Sequence, residues 1–216
     1  VETIDRVLGG KAMSRVLVAC EFSGIVREAF RAKGHDAWSC DLLPTEIPGQ
    51  HIQGDVLEIL DDGWDLMIAH PPCTYLSYAA TKYWYCEGRA RKRLESLFLF
   101  LKLWEAPIDK ICIENPMGCA SEIIEKYSQI IHPYYFGDSH LKKTCLWLKN
   151  LSQLIHIKDN DLFLPKTHTD KPEPIYTDKS GKKRYFTDAI AGSNNGGQKR
   201  SYTFQGIANA MAEQWG

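Results

Sequence analysis

Two side chains in this sequence stand where strand ends deliver chemistry. Cys73 follows the apolar run Leu66-Met67-Ile68-Ala69, then His70 and the pair Pro71-Pro72. Neither proline can donate to a sheet ladder and each restricts the residue before it. The run therefore reads as a short buried strand that stops abruptly, with a thiol held on a stiff turn. Glu114, followed by Asn115 and Pro116, ends a second apolar run, Lys110-Ile111-Cys112-Ile113. A thiol and a carboxyl at the same edge of a sheet are the means of covalent catalysis assisted by an acid–base group. In open α/β sheets the carboxyl edge of the strands is also where ligands bind. The competing reading of Cys73 is a buried, inert thiol, the commonest fate of a free cysteine, and this stretch alone leaves both readings standing.

Composition bounds what such a pair can belong to. The chain has 216 residues, 44% hydrophobic and 25% charged, which suits one globular domain with a small appendage. A net charge of -1 excludes a uniformly basic nucleic-acid binder but leaves room for a local patch. No apolar run approaches the roughly 20 residues of a membrane span, and there is no secretory signal pattern. The seven cysteines form no C-x-x-C pair. That argues against a zinc site or a disulfide framework and for a reducing cytoplasm. No metal, membrane or obligate protein partner is expected. Residues 1–12 are unlike the rest of the chain, and Met13 directly precedes the first strand, so 1–12 is expected to be an added leader.

The elements that must position the pair run in order along the chain. Arg15 to Cys20 is a β-branched strand, Glu21-Phe22-Ser23-Gly24 a tight turn, and Ile25 to Lys33 a helix stopped by Gly34. His35 to Cys40 is a second strand closed by Asp41, and Gly54-Asp55 brings another acid to a strand end. This βαβ unit would set a helix amino end and a carboxylate around a nucleotide-like ligand. It lacks the G-x-G-x-x-G fingerprint, so on this segment alone an ordinary strand–turn–helix is the favoured account. The aromatic stretch Thr74 to Gly88 has no clear period and reads as a long loop. Arg89 to Trp104 reads as a helix, basic at its start and apolar at Leu94, Leu97, Phe98, Leu101 and Trp104. Ser121 to Ile131 is expected to be a helix capped by Ser121, and Leu146 to Leu148 a strand. Composition shifts near Leu151, and Ile175-Tyr176-Thr177 and Arg184-Tyr185-Phe186 read as a hairpin. Its basic residues Lys179, Lys182, Lys183 and Arg184 suit either phosphate contact or a solvated loop. A helix from Tyr202 to Trp215, with small residues at Gly206, Ala208, Ala210 and Ala212, closes the chain.

Taken together, these motifs resemble the C5-cytosine DNA methyltransferase family, most closely its compact bacteriophage-type members. Phe22-Ser23-Gly24 is similar to the family's first motif, Asp41 to its acid after the second strand, and Gly54-Asp55 to its Gly-Asp. Pro71-Pro72-Cys73 matches the Pro-Cys nucleophile motif, and Glu114-Asn115 the Glu-Asn motif about 40 residues later. Gln205-Gly206-Ile207-Ala208-Asn209-Ala210 looks like the last motif, on a helix that returns to the cofactor. The order agrees over roughly residues 14 to 150 and 200 to 216. The departures are Val26 for the second glycine, Thr74 for a glutamine, Lys142-Lys143-Thr144 for a Gln-x-Arg-x-Arg stretch, and Ile207 for an asparagine.

The resemblance implies a doubly wound, mostly parallel α/β sheet, the Rossmann-like fold of S-adenosylmethionine-dependent methyltransferases. It implies a catalytic core over 13–150, a small target-recognition segment over 151–198, and a returning helix over 199–216. Cys73, Glu114 and Asn115 would be catalytic. Phe22, Ser23, Gly24, Asp41, Leu42, Asp55, Pro71, Ala208 and Asn209 would hold S-adenosylmethionine. Arg89, Lys142, Lys143, Thr144, Lys182, Lys183 and Arg184 would meet double-stranded DNA. The expected reaction is methyl transfer to C5 of a flipped cytosine, in the host cytoplasm if phage-encoded. The alternatives are the same chemistry on RNA, transfer of a modified group from a modified cofactor, and a catalytically silent DNA-binding relative. N4-cytosine and N6-adenine methyltransferases are disfavoured, because they resemble Asp/Asn-Pro-Pro-Tyr/Trp enzymes that need no thiol.

Overall fold

Seven strands form one sheet whose middle is buried on both faces. The computed structural model describes residues 13–159, 165–186 and 202–216. The strands are β1 (Arg15–Ala19), β2 (Asp36–Asp41), β3 (His51–Gln53), β4 (Leu66–Ala69), β5 (Lys110–Asn115), β6 (Gln129–Ile131) and β7 (Thr144–Lys149). Their spatial order is β3-β2-β1-β4-β5-β7-β6. All neighbours pair parallel except β7, which runs antiparallel to both β5 and β6. The chain winds outward from β1 to β3, then crosses back to β4 on the other side of β1. That reversal opens a crevice at the carboxyl ends of β1 and β4.

Alternation along the central strands divides the core in two. Val16, Val18, Leu66, Ile68, Cys112 and Leu146 face α1 (Ile25–Ala32) and the C-terminal helix α4 (Gln205–Trp215). Leu17, Ala19, Met67, Ala69, Ile111, Ile113, Cys145 and Trp147 face α2 (Arg89–Trp104). Strands apolar on both faces need cover on both, so the sheet is doubly wound, as expected from the sequence. The small residues Ala208 and Ala212 let α4 lie close against α1 through Ala29 and Phe30.

Three local expectations are corrected. The span 121–131 is not one helix: a single turn, α3 (Ala120–Ile123), is followed by β6. Gln129, Ile130 and Ile131 pair with Leu146, Cys145 and Thr144, and this ladder wins over local helix spacing. Cys119, not Ser121, stands at the start of α3, and no side chain caps it. In α2 the core-facing residues are Leu97, Phe100 and Leu103, while Leu94 and Phe98 are exposed. The hairpin after Leu151 is present as β8 (Tyr176–Thr177) and β9 (Lys183–Arg184). The leader 1–12, much of the proposed recognition segment (160–164 and 187–198) and the start of the last segment (199–201) lie outside the described residues.

Candidate active site

The loop after β1 is built around a buried carboxylate. Glu21 accepts hydrogen bonds from the backbone N–H of Val26 (2.7 Å) and Arg27 (3.3 Å) and from the Ser23 hydroxyl (3.1 Å). It thereby occupies the amino end of α1, where unpaired N–H groups favour an anion. Gly24 precedes that helix at φ 78°, a left-handed conformation that glycine adopts without strain. Arg27, fully buried, donates to Ser39 Oγ (3.0 Å), Thr45 Oγ1 (3.2 Å) and the Ile47 carbonyl (2.6 Å), tying the loop after β2 over α1. Sequence reading missed both Glu21 and Arg27. Their signal was an acid and a base flanking a glycine turn, but the partners come from distant residues.

Phe22, Ser23, Cys20, Glu21, His70, Tyr202 and Thr203 line a small cavity at the crevice. Cys20 sits at φ 58°, rare for a residue with a Cβ and typical of functional turns. Burial, followed by the negative charges of Asp41, Cys40 and Asp55, pushes its thiol up to about 12. Cys20 is thus a protonated thiol, with the Asp41 and Asp55 carboxylates in its surroundings. Asp41 ends β2 and accepts from the N–H of Leu43 (2.9 Å), and Asp55 accepts from the N–H of Leu57 (3.0 Å). Leu42, between these acids in the chain, is exposed.

Cys73 is exposed, while Cys40, Cys112, Cys119 and Cys145 are buried. This removes the reading of Cys73 as an inert core thiol. Its carbonyl accepts from the N–H groups of Leu76 (3.1 Å) and Ser77 (2.9 Å), closing a tight turn. Two contacts tie that turn to the end of β5. Asn115, 2% exposed, donates from Nδ2 to the Pro71 carbonyl at 2.7 Å. Gly118 bridges to Ser77, and the N–H of Cys119 donates to the Leu76 carbonyl at 3.0 Å. A Cβ on Gly118 would collide with that carbonyl oxygen, so the approach needs glycine.

Glu114 lies in β5 beside the end of β4. Its Oε2 is 3.3 Å from His70 Nδ1, and its Oε1 is 3.9 Å from Lys142 Nζ. Burial alone would raise its pKa. The Lys142 ammonium, the His70 imidazole and a hydrogen bond from Thr144 outweigh burial and hold the carboxyl down to about 2. Glu114 is therefore ionised across the neutral range. His70 was not singled out from the sequence. Its signal was register: Ala69 pairs with Ile113, so the next residues along, His70 and Glu114, meet.

The expected nucleic-acid contacts divide. Lys142 and the buried Thr144 turn toward Glu114, whereas Lys143 is exposed. Lys182 and Lys183 are exposed on the hairpin, but Arg184 forms a two-pronged ion pair with Asp178, Nη2 to Oδ2 at 2.7 Å. Arg89 donates to the Thr74 carbonyl (3.1 Å) and lies 4.8 Å from the Tyr75 ring. Lys92 is 5.5 Å from the same ring, and Arg93 is 4.1 Å from Trp84. The first turn of α2 thus carries cations and no acid, against the helix dipole. This breaks a local rule beside the exposed Cys73. The last helix contributes otherwise than expected. Ala208 is buried among the α1-facing residues, and Asn209 lines a groove with Ala29, Ala32 and Lys33. Tyr202 and Thr203 are the residues of that segment that reach the Phe22 cavity.

Solved structures of other proteins share this architecture. A methyltransferase from Entamoeba histolytica, EhMeth, superposes with a TM-score of 0.50 at 12% identity, over 94% of this chain and 98% of that one. The fold matches that of Rossmann-like methyltransferases. A putative DNA modification methyltransferase encoded within an Escherichia coli prophage gives a TM-score of 0.41 at 17% identity, over 83% of this chain and 55% of that one. The Dnmt2 methyltransferase of S. pombe also gives 0.41 at 17% identity, over 65% of this chain and 50% of that one. The chain spans about half the length of these last two proteins. No known family and no curated protein matches the sequence. At these identities the likeness is one of fold.

Proposed function

We propose that the protein transfers a methyl group to C5 of cytosine in double-stranded DNA, with Cys73 as nucleophile and Glu114 as the group at N3. The observation that carries this reading is the tie between the two strand ends. Asn115, next to Glu114, holds the Pro71 carbonyl two residues before an exposed Cys73. The chain segments that carry the thiol and the carboxylate are thereby tied to each other at the carboxyl edge of the sheet, which supports a shared role. C5 of cytosine is a poor nucleophile until C6 carries a substituent. The Cys73 sulfur forms a bond to C6, the C5=C6 pair moves toward C4, and the C4=N3 pair is drawn onto N3. Glu114 stabilises N3 and the exocyclic amine, and C5 becomes enamine-like. A base inside a duplex is out of reach, so the target must be flipped out. The cations at the start of α2, together with Lys143, Lys182 and Lys183, suit the flanking phosphates.

The crevice fits S-adenosylmethionine by its chemistry. Asp41 and Asp55 lie near Cys20, a lining residue, and their negative charge suits a cation, while Phe22 brings an aromatic ring, packed against Tyr202, to the same cavity. The amino end of α1 is not open to a phosphate, because Glu21 fills it, and this cofactor has no phosphate. When bound, it supplies an electrophilic methyl on sulfonium sulfur. Asn115 acts as a positioning residue for the thiol loop.

Covalent trapping tests the reading. Duplex DNA carrying 5-fluorocytosine has fluorine in place of the C5 proton that must leave for the thiol to be released. Incubated with protein and S-adenosylmethionine, it should give a denaturation-resistant protein–DNA adduct that maps to Cys73 and is absent in Cys73→Ala. An adduct at another residue, or none while methyl transfer proceeds, refutes the mechanism.

A further inference from the structure

Among the described residues, His70 is the imidazole in contact with Glu114. Its side chain is 6% exposed, its Nδ1 is 3.3 Å from Glu114 Oε2 and 3.5 Å from Thr203 Oγ1, and its Nε2 is buried with no hydrogen-bond partner among the described residues. It lines the cavity shared with Phe22 and Ser23. The ionisable groups around it are Glu114 from β5, Lys142 beyond Glu114, Cys20 and Glu21 from the β1 loop, and Tyr202 before α4. An ionised carboxylate can only accept, so a hydrogen bond in this contact needs the proton on Nδ1, the tautomer that leaves a lone pair on Nε2.

The proposed reaction needs a proton that Glu114 does not hold. As the Cys73–C6 bond forms, the electron pair drawn onto N3 must be neutralised, and a carboxylate facing the N3 lone pair would repel it. We propose that His70 works through Glu114 as the positioning residue that supplies this proton and takes it back. The imidazolium passes its Nδ1 proton to Oε2 and the carboxyl passes one to N3, which leaves His70 neutral with its remaining proton on Nε2. When the C5 proton later leaves to water, the C5=C6 bond re-forms, the S–C6 bond breaks with sulfur leaving as thiolate, and the N3 proton returns by the same path. No oxidant is needed. Lys142 stands farther from the carboxylate than His70, 3.9 Å from Oε1. The inference rests on the methyl-transfer reading, and its test separates the two.

The experiment uses the full chain labelled with 15N-histidine, with His70 assigned by comparison with His70→Gln. At high pH the wild type should show the proton on Nδ1 and a bare Nε2. In Glu114→Gln the His70 Nδ1–H signal should shift, because the anionic acceptor of that proton is lost. In single turnover on a cytosine duplex at saturating cofactor, His70→Gln should lose about 100-fold in rate, the scale of one acid–base group, with Kd for DNA within about twofold. The wild-type rate should fall on the alkaline side as His70 loses its proton, and His70→Gln should lack that limb. A purely structural role would not move the limb. A proton found on Nε2, or an Nδ1–H signal unmoved by Glu114→Gln, overturns the pairing whatever the activity. An active enzyme whose His70→Gln variant keeps its rate and alkaline limb overturns the relay alone. An intact pair in a protein that modifies no cytosine overturns the methyl-transfer reading and the relay with it.

Discussion

Glu114 is an anion in the resting protein, yet the reaction asks its carboxyl to present a proton to N3. Glu114→Gln keeps the shape and one acceptor but can neither ionise nor pass a proton. It should cut the single-turnover rate by about 100-fold or more while DNA affinity changes little. An unchanged rate would make Glu114 structural. Cys73 and Glu114 were legible in the sequence because each ends an apolar run at a proline, and punctuation of that kind is local. His70, Glu21 and Arg27 were not legible, because their meaning lies in partners on other strands. Arg27 is an ordinary helix residue until Ser39, Thr45 and Ile47 close over it.

The turn at Cys73 and the turn after β5 are effectively one element, and Gly118 is a point of close approach between them. Gly118→Ala forces the two apart. An added Cβ in a packed contact costs about 1–3 kcal/mol, and a displaced thiol costs rate as well. The variant should unfold at lower temperature and lose turnover while still binding S-adenosylmethionine in calorimetry; wild-type turnover would mean that this contact does not position Cys73. A second element, the segment after β7, is fastened by histidines. His156 Nδ1 lies 2.7 Å from His168 Nε2, and both rings stack on Tyr135, at 4.4 and 4.7 Å. Burial lowers the pKa of both below the ordinary histidine value of 6.5. Protonation therefore favours the unfolded chain: the stabilisation is present above pH 6.5 and is lost as pH falls below it. Melting temperature should drop between about pH 7 and 5, and less so in His168→Asn; equal slopes would show that the pair does not govern this loss. The error over 121–131 belongs at this scale. Ile123, Ile124, Ile130 and Ile131 fit a helical face, and only the pairing of Gln129–Ile131 with β7 shows that the end is a strand.

Across the whole molecule, the alternation of apolar runs with helical stretches carried the fold class, since strands buried on both faces demand helices on both. The antiparallel β7 was not legible, because strand direction depends on the path taken after β6. The segment proposed to read DNA sequence, 151–198, is small. The described part of 151–198 contributes a hairpin of two-residue strands, and its Arg184 is engaged by Asp178. Each good bidentate base contact gives only about 1–3 kcal/mol of discrimination. Modification should therefore follow a short or relaxed sequence rule, and binding should weaken steeply with salt. Bisulfite sequencing of a modified plasmid checks this; modification confined to one site of four or more fixed bases would refute it.

Everything proposed for Cys73 turns on which atom of the base receives the transferred group, because only attack from C5 requires a thiol at C6. Mass spectrometry of nucleosides from duplex DNA incubated with the protein and S-adenosylmethionine reads that position directly. The wild type should yield 5-methyldeoxycytidine, and Cys73→Ala none. N4-methyldeoxycytidine or N6-methyldeoxyadenosine, or 5-methyldeoxycytidine persisting without Cys73, would contradict the covalent mechanism.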